Sequence, residues 1–326
     1  MAERVSARPP AAVLGRAVLW RAGLLVLRRA GLLLVLLAAV FLLVDLLPGD
    51  AARSTLDANA SAGEVAARRA RLGLDRPWFE RFAHWLGGLC TGDLGVSARG
   101  RPVWEVVGPH LPNTLLLGGI VLALTAVAAL GLGGLAVLRP GGRLDRAIDS
   151  GATVLLALPE FVLGTGLVVV FAFYSDLLPA VTTTSTGGGV HDAGMLVLPA
   201  LALALPQIGW NTRIVRTALT EQLRAPHVDA AVLDGLPRRR VLLHHLLPGA
   251  VPPIATGLAT SAGLVLGGAV TVETLFNYPG LGSVLTDALQ NRDGPTVAGV
   301  VALAGLIITS TLVPADLLGR WARRFA

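Results

Sequence analysis

Glu160 and Glu273 each sit within a long apolar run. A charge at the centre of a membrane helix costs roughly 2.5–3.5 kcal/mol on insertion scales, so such a group faces an interior, pairs, or takes up a proton. Glu160 lies well inside an apolar stretch over 150–174. It is expected to line a path through the membrane and to favour a cationic or amine-bearing solute; a hydrogen bond between helices is the plainer alternative. Glu273 stands near the outer end of a stretch over 253–275. It is expected to gate or support an outer mouth rather than to touch solute. Asn211 is a third polar candidate for the path, although Asn211, Asn113 and Thr212 are of types that more often cap helices or bond between them.

Other chemistry is poorly served. All 27 basic residues are arginine, and a phosphate-binding Walker loop needs a lysine. There is no G-x-S-x-G turn, no HExxH helix and no cysteine cluster. The single cysteine, Cys90, cannot form an internal disulfide. His191, His227, His244 and His245 do not form a metal-ligand pattern, and the adjacent pair His244-His245 points to different helix faces. No catalytic residue, metal ligand or cofactor is therefore expected in this chain. Any energy that its action needs must come from a partner or an ion gradient.

The most distinctive stretch is a charged island from His227 to Pro253 between apolar runs. A helix running to Asp234 is expected to end with Gly235 in the left-handed conformation, which glycine adopts without a Cβ penalty. Leu236 then folds back on that helix, and Pro237 opens a second one where its missing N–H is not needed. Ala230 and Ala231 permit close approach. Asp229 and the Arg238–Arg240 run offer polar contacts, although that run also suits a solvated or headgroup-facing surface. A fixed, protruding elbow of this kind suits docking into a groove on a partner.

The elements that must carry these residues are membrane helices. The hydrophobic fraction is 53% and the mean hydropathy is +0.67, and several apolar runs approach the ~20 residues that cross a bilayer. The net charge of +6 does not point to nucleic acid, because the arginines flank the apolar runs in the positive-inside pattern. The expected order begins with a cytoplasmic leader over 1–29, including an interfacial helix, and span 1 over 30–47, retained rather than cleaved. A polar extracytoplasmic segment over 48–112 follows, then a membrane domain over 113–318 holding spans 2–6, and a cytoplasmic tail over 319–326. Span 3 is expected over 150–174, span 4 over 195–215 with a kink at Pro199 or Pro206, span 5 over 253–275 and span 6 over 297–318. The charged elbow falls in the region 221–248, between spans 4 and 5. In the outer segment, Ser61 and Glu64 form a capping box. Trp78, Phe82, Trp85, Leu86 and Leu89 share one helical face. The Thr182–Gly189 tract reads as a linker. Six spans, all α-helical, leave both termini in the cytoplasm.

The island resembles the cytoplasmic coupling motif of ABC importer permeases: Glu-Ala-Ala, three residues, Gly, nine residues, then Ile-x-Leu-Pro. Here it reads Asp229-Ala230-Ala231, Gly235 and His245-Leu246-Leu247-Pro248, with Asp for Glu and His245 for Ile. Other pieces follow in order: Pro48-Gly49-Asp50, Leu72-Gly73-Leu74-Asp75-Arg76-Pro77, Gly92-Asp93-Leu94-Gly95, Leu111-Pro112-Asn113-Thr114-Leu115, Leu158-Pro159, Leu198-Pro199-Ala200, Val272-Glu273-Thr274-Leu275-Phe276 and Pro279-Gly280-Leu281-Gly282. Together they are similar to the dipeptide, oligopeptide and nickel subfamily over roughly 28–318, and to the first permease of its unlike pair. Residues 1–22 form an extra leader, and Glu160 stands where that family commonly has a small or neutral residue. The resemblance implies a subunit of the prokaryotic plasma (inner) membrane. Its partners would be a second homologous permease, two ATPases that bind ATP and Mg, and an extracytoplasmic solute-binding protein. It implies coupling through Asp229, Ala230, Ala231, Gly235, Leu236 and Pro237, and import of peptides or a related small polar solute. Nickel or a metal chelate is the alternative within the family. From another class, a gradient-driven secondary transporter is the competitor; it would be expected to show inverted repeats with paired broken helices, and no clear repeat is visible.

Overall fold

The computed structural model describes residues 11–46, 51–54, 56, 60–182 and 193–322. Pro48-Gly49-Asp50, most of the Thr182–Gly189 tract, His191 and the last arginines, Arg323 and Arg324, lie outside the described residues. Among the described residues there is no β-strand, only an isolated bridge between Val96 and Pro102.

The helices are α1 (Ala11–Leu46), α2 (Ala51–Ser54), α3 (Ala62–Arg71), α4 (Trp78–Cys90), α5 (Val103–Val107), α6 (Leu111–Leu138) and α7 (Arg143–Ala157). They continue with α8 (Glu160–Leu167), α9 (Gly194–Gln222), α10 (Pro226–Leu233), α11 (Arg238–Val241), α12 (Leu247–Leu275), α13 (Leu281–Gln290) and α14 (Gly294–Ala322). A π-helical stretch, Val168–Tyr174, extends α8, and another, Leu242–Leu246, joins α11 to α12. Five segments are long and apolar enough to cross a membrane: Val26–Leu46, Leu111–Leu138, Gly194–Gln222, Arg238–Leu275 and Gly294–Pro314. Arg143–Ala157 with Glu160–Tyr174 makes a sixth if the bent pair counts as one span.

Three expectations need correction. The leader helix and span 1 are one continuous helix, α1, because no proline interrupts Ala11–Leu46. Span 3 is broken, not straight: its halves meet at 100°. Pro159 cannot donate an N–H and forces Leu158 into extended backbone, at φ −88° and ψ 126°, so the ladder stops there. Span 5 begins earlier than 253, since the helix runs from Arg238 through the π-helical stretch to Leu275. The second arm of the elbow and span 5 are thus one rod.

The centre of the bundle is α6, α9 and α12, with Leu117, Val121, Leu203 and Val265 fully buried between them. Small residues let the backbones approach, as van der Waals packing in lipid requires. A methyl added at Gly133 would sit 2.6 Å from a methyl of Val215, and one at Gly209 would sit 2.5 Å from the Ala152 carbonyl oxygen. Pro199 and Pro206 lie inside α9 and are both buried, where neighbouring helices shield the interrupted ladder.

The segment between α1 and α6 docks on the bundle. Ser61 accepts from the Glu64 N–H at 3.3 Å and Glu64 accepts from the Ser61 N–H at 2.7 Å, the expected capping box. The apolar face of α4 packs on α1: Phe41 meets Phe82 and Trp85 at ring distances of 5.6 and 5.9 Å. Aromatic pairs of this geometry contribute about 0.5–1.5 kcal/mol each beyond their buried area. Trp85 donates its indole N–H to the Leu94 carbonyl at 2.9 Å, and Arg81 pairs with Asp45 at the end of α1.

Candidate functional site

The elbow is built as its residues dictate. Val228 and Ala231 on α10 are buried against Leu219, Val241 and Leu246. Gly235 has φ +74°; its N–H donates to the Val232 carbonyl at 3.0 Å, and the Leu236 N–H donates to the Ala231 carbonyl at 3.2 Å. These two bonds satisfy carbonyls that the end of α10 would otherwise leave open. Leu236 packs back on the same apolar cluster. Pro237 caps α11 from outside, at φ −63° and ψ 140°, one place earlier than its expected position in the first turn. Asp229 and Ala230 face out, as do Val232 and Leu233, which is 86% exposed. The two alanines are therefore split: Ala230 is available to a partner, and Ala231 packs inside this chain. Arg238 also has an internal task, donating to the Leu138 carbonyl at the end of α6 at 3.2 Å. A cation there suits the negative end of the helix dipole.

Beneath the elbow lies an ion pair that sequence reading missed. Arg216 on α9 donates Nε–H and Nη2–H to the two oxygens of Asp145 on α7, at 2.6 and 3.0 Å. Asp145 is buried and also accepts the Gly141 N–H at 2.9 Å. The arginines of the 139–146 loop and of α9 read from sequence only as charges flanking spans. The one available signal was the acidic residue in the first turn of α7.

Glu160 is the first residue of α8, directly after the 100° break, rather than a residue midway along a straight span. An acid there complements the positive end of the helix. It lines a cavity of about 390 Å³ with Pro159, Phe161, Gln207, Leu264 and Thr271. Its carboxylate presses on Gly268 of α12, where a Cβ would collide with it. Gln207 Oε1 faces no donor among the described residues. Asn211, one turn further along α9, is not part of this lining. It is 1% exposed and donates to the Gln207 carbonyl at 2.9 Å and to Ser261 Oγ on α12 at 2.6 Å.

Glu273 is fully buried at the other end of α6. Thr114 Oγ1 donates to Glu273 Oε1 at 2.9 Å and itself accepts the Leu281 N–H at 2.7 Å. The Gly282 N–H donates to Oε2 at 2.6 Å. Asn113 Nδ2 donates to the Pro279 carbonyl, and Tyr278 Oη donates to the Asn113 carbonyl, both at 2.8 Å. Burial and the Glu273 carboxylate push the Tyr278 hydroxyl up to about 12, so it remains a donor throughout the physiological range. These bonds tie the start of α6 to the loop between α12 and α13.

Residues 121–325 match the family described as "Binding-protein-dependent transport system inner membrane component", and residues 23–118 match its N-terminal companion. The chain belongs to this family of inner-membrane permeases. It is 34% identical over 277 residues to the probable peptide ABC transporter permease protein y4tP of Sinorhizobium fredii, covering 84% of this chain and 88% of that one. It is 30% identical to the dipeptide transport system permease protein DppB of Escherichia coli K12, covering 85% and 90%. It is 29% identical to the oligopeptide transport system permease protein AppB of Bacillus subtilis 168, also covering 85% and 90%. Among solved structures, an inward-facing form of the MetNI methionine ABC transporter matches 65% of this chain and 94% of that one, with a TM-score of 0.53 and 17% identity. At that identity the likeness concerns the fold.

In this permease the two matched regions meet between 118 and 121, inside α6. The elbow, the Glu160 cavity and the Glu273 knot all fall within or against the larger region. Of the three candidate path residues, Glu160 lines the 390 Å³ cavity, and Asn211 and Glu273 are held in interior bonds.

Proposed function

We propose that this chain is one of two permease subunits of an ATP-driven importer, and that the solute is a peptide delivered by an extracytoplasmic binding protein. The observation that carries this reading is the similarity to y4tP, DppB and AppB along 84–85% of the chain. The elbow is the contact with a partner ATPase. Its rigid turn at Gly235 and the exposed Leu233, Val232, Asp229 and Ala230 support that role, because a fixed apolar knob with a polar rim suits a groove. Continuity of α11 with α12 supports transmission: a push on the elbow acts on the whole 38-residue rod. In this reading the elbow and both termini are cytoplasmic, and the segment from α2 to α5 lies outside. Glu160 contacts the solute, its carboxylate favouring an amine such as a peptide N-terminus. Glu273 holds the outer mouth together.

A mild-detergent pull-down through a tag on this chain, followed by mass spectrometry, tests the assembly. Recovery of a second permease and two ATPases is expected. Recovery of this chain alone, with uptake intact after reconstitution without ATP, would rule out the ATP-driven reading.

A further inference from the structure

A second cavity, of about 990 Å³, opens where α1 ends and α14 begins, beneath α3 and α4. Its apolar wall includes Phe41, Val44, Trp85 and Pro295. Its polar wall is dominated by arginine: Arg69, Arg71, Arg76, Arg81 and Arg292, against the carboxylates of Asp45, Glu80 and Asp93. Two of those acids are already engaged. Asp45 pairs with Arg81, and Asp93 accepts the Gly95 N–H at 2.8 Å. Arg69 pairs with Asp75 at 3.3 Å. Arg71, Arg76 and Arg292 have no carboxylate partner among the described residues. Arg81 Nε and Arg292 Nη1 are buried donors with no acceptor among them. A buried guanidinium N–H without an acceptor is costly, and two of them on the lining of one cavity, beside the exposed guanidinium groups of Arg71 and Arg76, suit a multidentate anion.

We propose that this cavity binds the phosphate of an anionic lipid headgroup. Arginine presents a rigid fork of donors that matches phosphate oxygens, and its charge persists at every relevant pH. The lipid, rather than a dissolved anion, follows from what borders the site. The apolar wall belongs to a membrane-crossing helix, and on that helix Leu43 and Leu46, either side of the lining residues Val44 and Asp45, are 63% and 68% exposed. A headgroup held by the arginines can therefore lay its acyl chains on α1. Basic groups at a bilayer surface attract anionic lipids in the same way. The assignment rests on membrane residence, not on the identity of the transported solute.

The test is native mass spectrometry of the full chain, extracted with its bound partners in mild detergent and titrated with phosphatidylglycerol or phosphatidylcholine. Wild type is expected to retain phosphatidylglycerol at least about ten-fold more tightly than the R71Q/R76Q/R292Q variant, with no such difference for phosphatidylcholine. An R143Q/R146Q control removes exposed arginines from the loop end of α7 and is expected to bind as wild type does. The single R76Q variant, altered at an exposed position, covers the case in which the triple variant fails to fold, and is expected to weaken retention measurably. Equal retention by wild type and R76Q or the triple variant would overturn the assignment, as would an equal loss in the control. Displacement of phosphatidylglycerol by millimolar inorganic phosphate or by a short peptide would also overturn it, marking a site for dissolved anions.

Discussion

Arg216 grips both carboxylate oxygens of Asp145, at 2.6 and 3.0 Å, and so locks α7 to α9 where α9 leads into the elbow. Asp145 in turn holds the Gly141 N–H, which fixes the short turn between α6 and α7. Three helices are therefore set by one carboxylate. Asp145→Ala is expected to destabilise the protein by about 1.5–3 kcal/mol, the range of a charge-assisted hydrogen bond, because it leaves Arg216 only the looser Asp149 carboxylate at 4.0 Å and frees the turn. Arg216→Lys keeps the charge but not the fork, and is expected to lose less. Thermal unfolding of the purified assembly, with the Asp145→Ala/Arg216→Ala double variant completing a mutant cycle, measures the coupling. Additive single effects would show that the pair contributes nothing of its own.

At Gly235 the penalty for a side chain is conformational and not steric. The residue has φ +74°, and a Cβ there meets nothing within 4 Å. Gly235→Ala is expected to cost about 1–2 kcal/mol locally, which α10 can relieve by loosening its last turn. Gly235→Asn is expected to cost less, since asparagine tolerates the left-handed region. If the elbow docks on an ATPase, Gly235→Ala lowers transport per ATP hydrolysed more than it lowers thermal stability, and Gly235→Asn falls between. Parallel losses in transport and hydrolysis, in proportion to unfolding, would remove the coupling role.

The elbow was legible in the sequence because its information is local. A glycine, a leucine and a proline in adjacent positions specify a helix stop, a fold-back and a restart. The capping box at Ser61 was legible for the same reason. The break in span 3 was half-legible: Leu158-Pro159 was noted, but hydropathy averages across it, and the 100° turn depends on how α8 packs against α9 and α12. Asp145 with Arg216 was invisible, since 71 positions separate them and each alone looks like a charge flanking a span. Glu160 was singled out as an acid inside a straight span, whereas it opens the second half of a broken one, because its setting depends on that break. Glu160 and Glu273 were told apart in the sequence by their places along their apolar runs, as a path residue and a support near an outer mouth, but the partners that hold Glu273, Thr114 and Gly282, come from packing that the sequence does not display.

Glu160 offers a direct test of solute contact. Its carboxylate lines the 390 Å³ cavity and leaves no room for a side chain on Gly268. Glu160→Gln keeps size and hydrogen bonding but removes the charge. Uptake of peptides with a free amino terminus is expected to fall about ten-fold relative to N-acetylated ones, a difference of about 1.4 kcal/mol in recognition. Gly268→Ala displaces the carboxylate and is expected to act in the same direction. Unchanged selectivity in both variants, measured by competition uptake, would leave Glu160 a packing residue.

The knot around Glu273 predicts a different outcome, a loss of local order rather than of selectivity. Thr114 Oγ1 stands at its centre, donating to Glu273 and accepting from Leu281. Thr114→Val keeps the shape and removes both bonds, leaving the Leu281 N–H buried without its partner and the Glu273 carboxylate one donor short; a stranded group of this kind costs about 1–3 kcal/mol. Glu273→Gln is milder, because the amide oxygen can still accept from Gly282 and the Thr114 oxygen can accept from both the amide NH₂ and the Leu281 N–H, so that only the Thr114 O–H loses its acceptor. Hydrogen exchange at residues 276–284 is expected to rise in the order wild type, Glu273→Gln, Thr114→Val, while exchange across the elbow at 226–241 stays the same. Because α6 joins the two regions, increased exchange at the elbow as well would mean that the knot sets the register of the whole helix. It would then govern the elbow from the opposite end of the 28-residue α6 rather than merely tie down a loop.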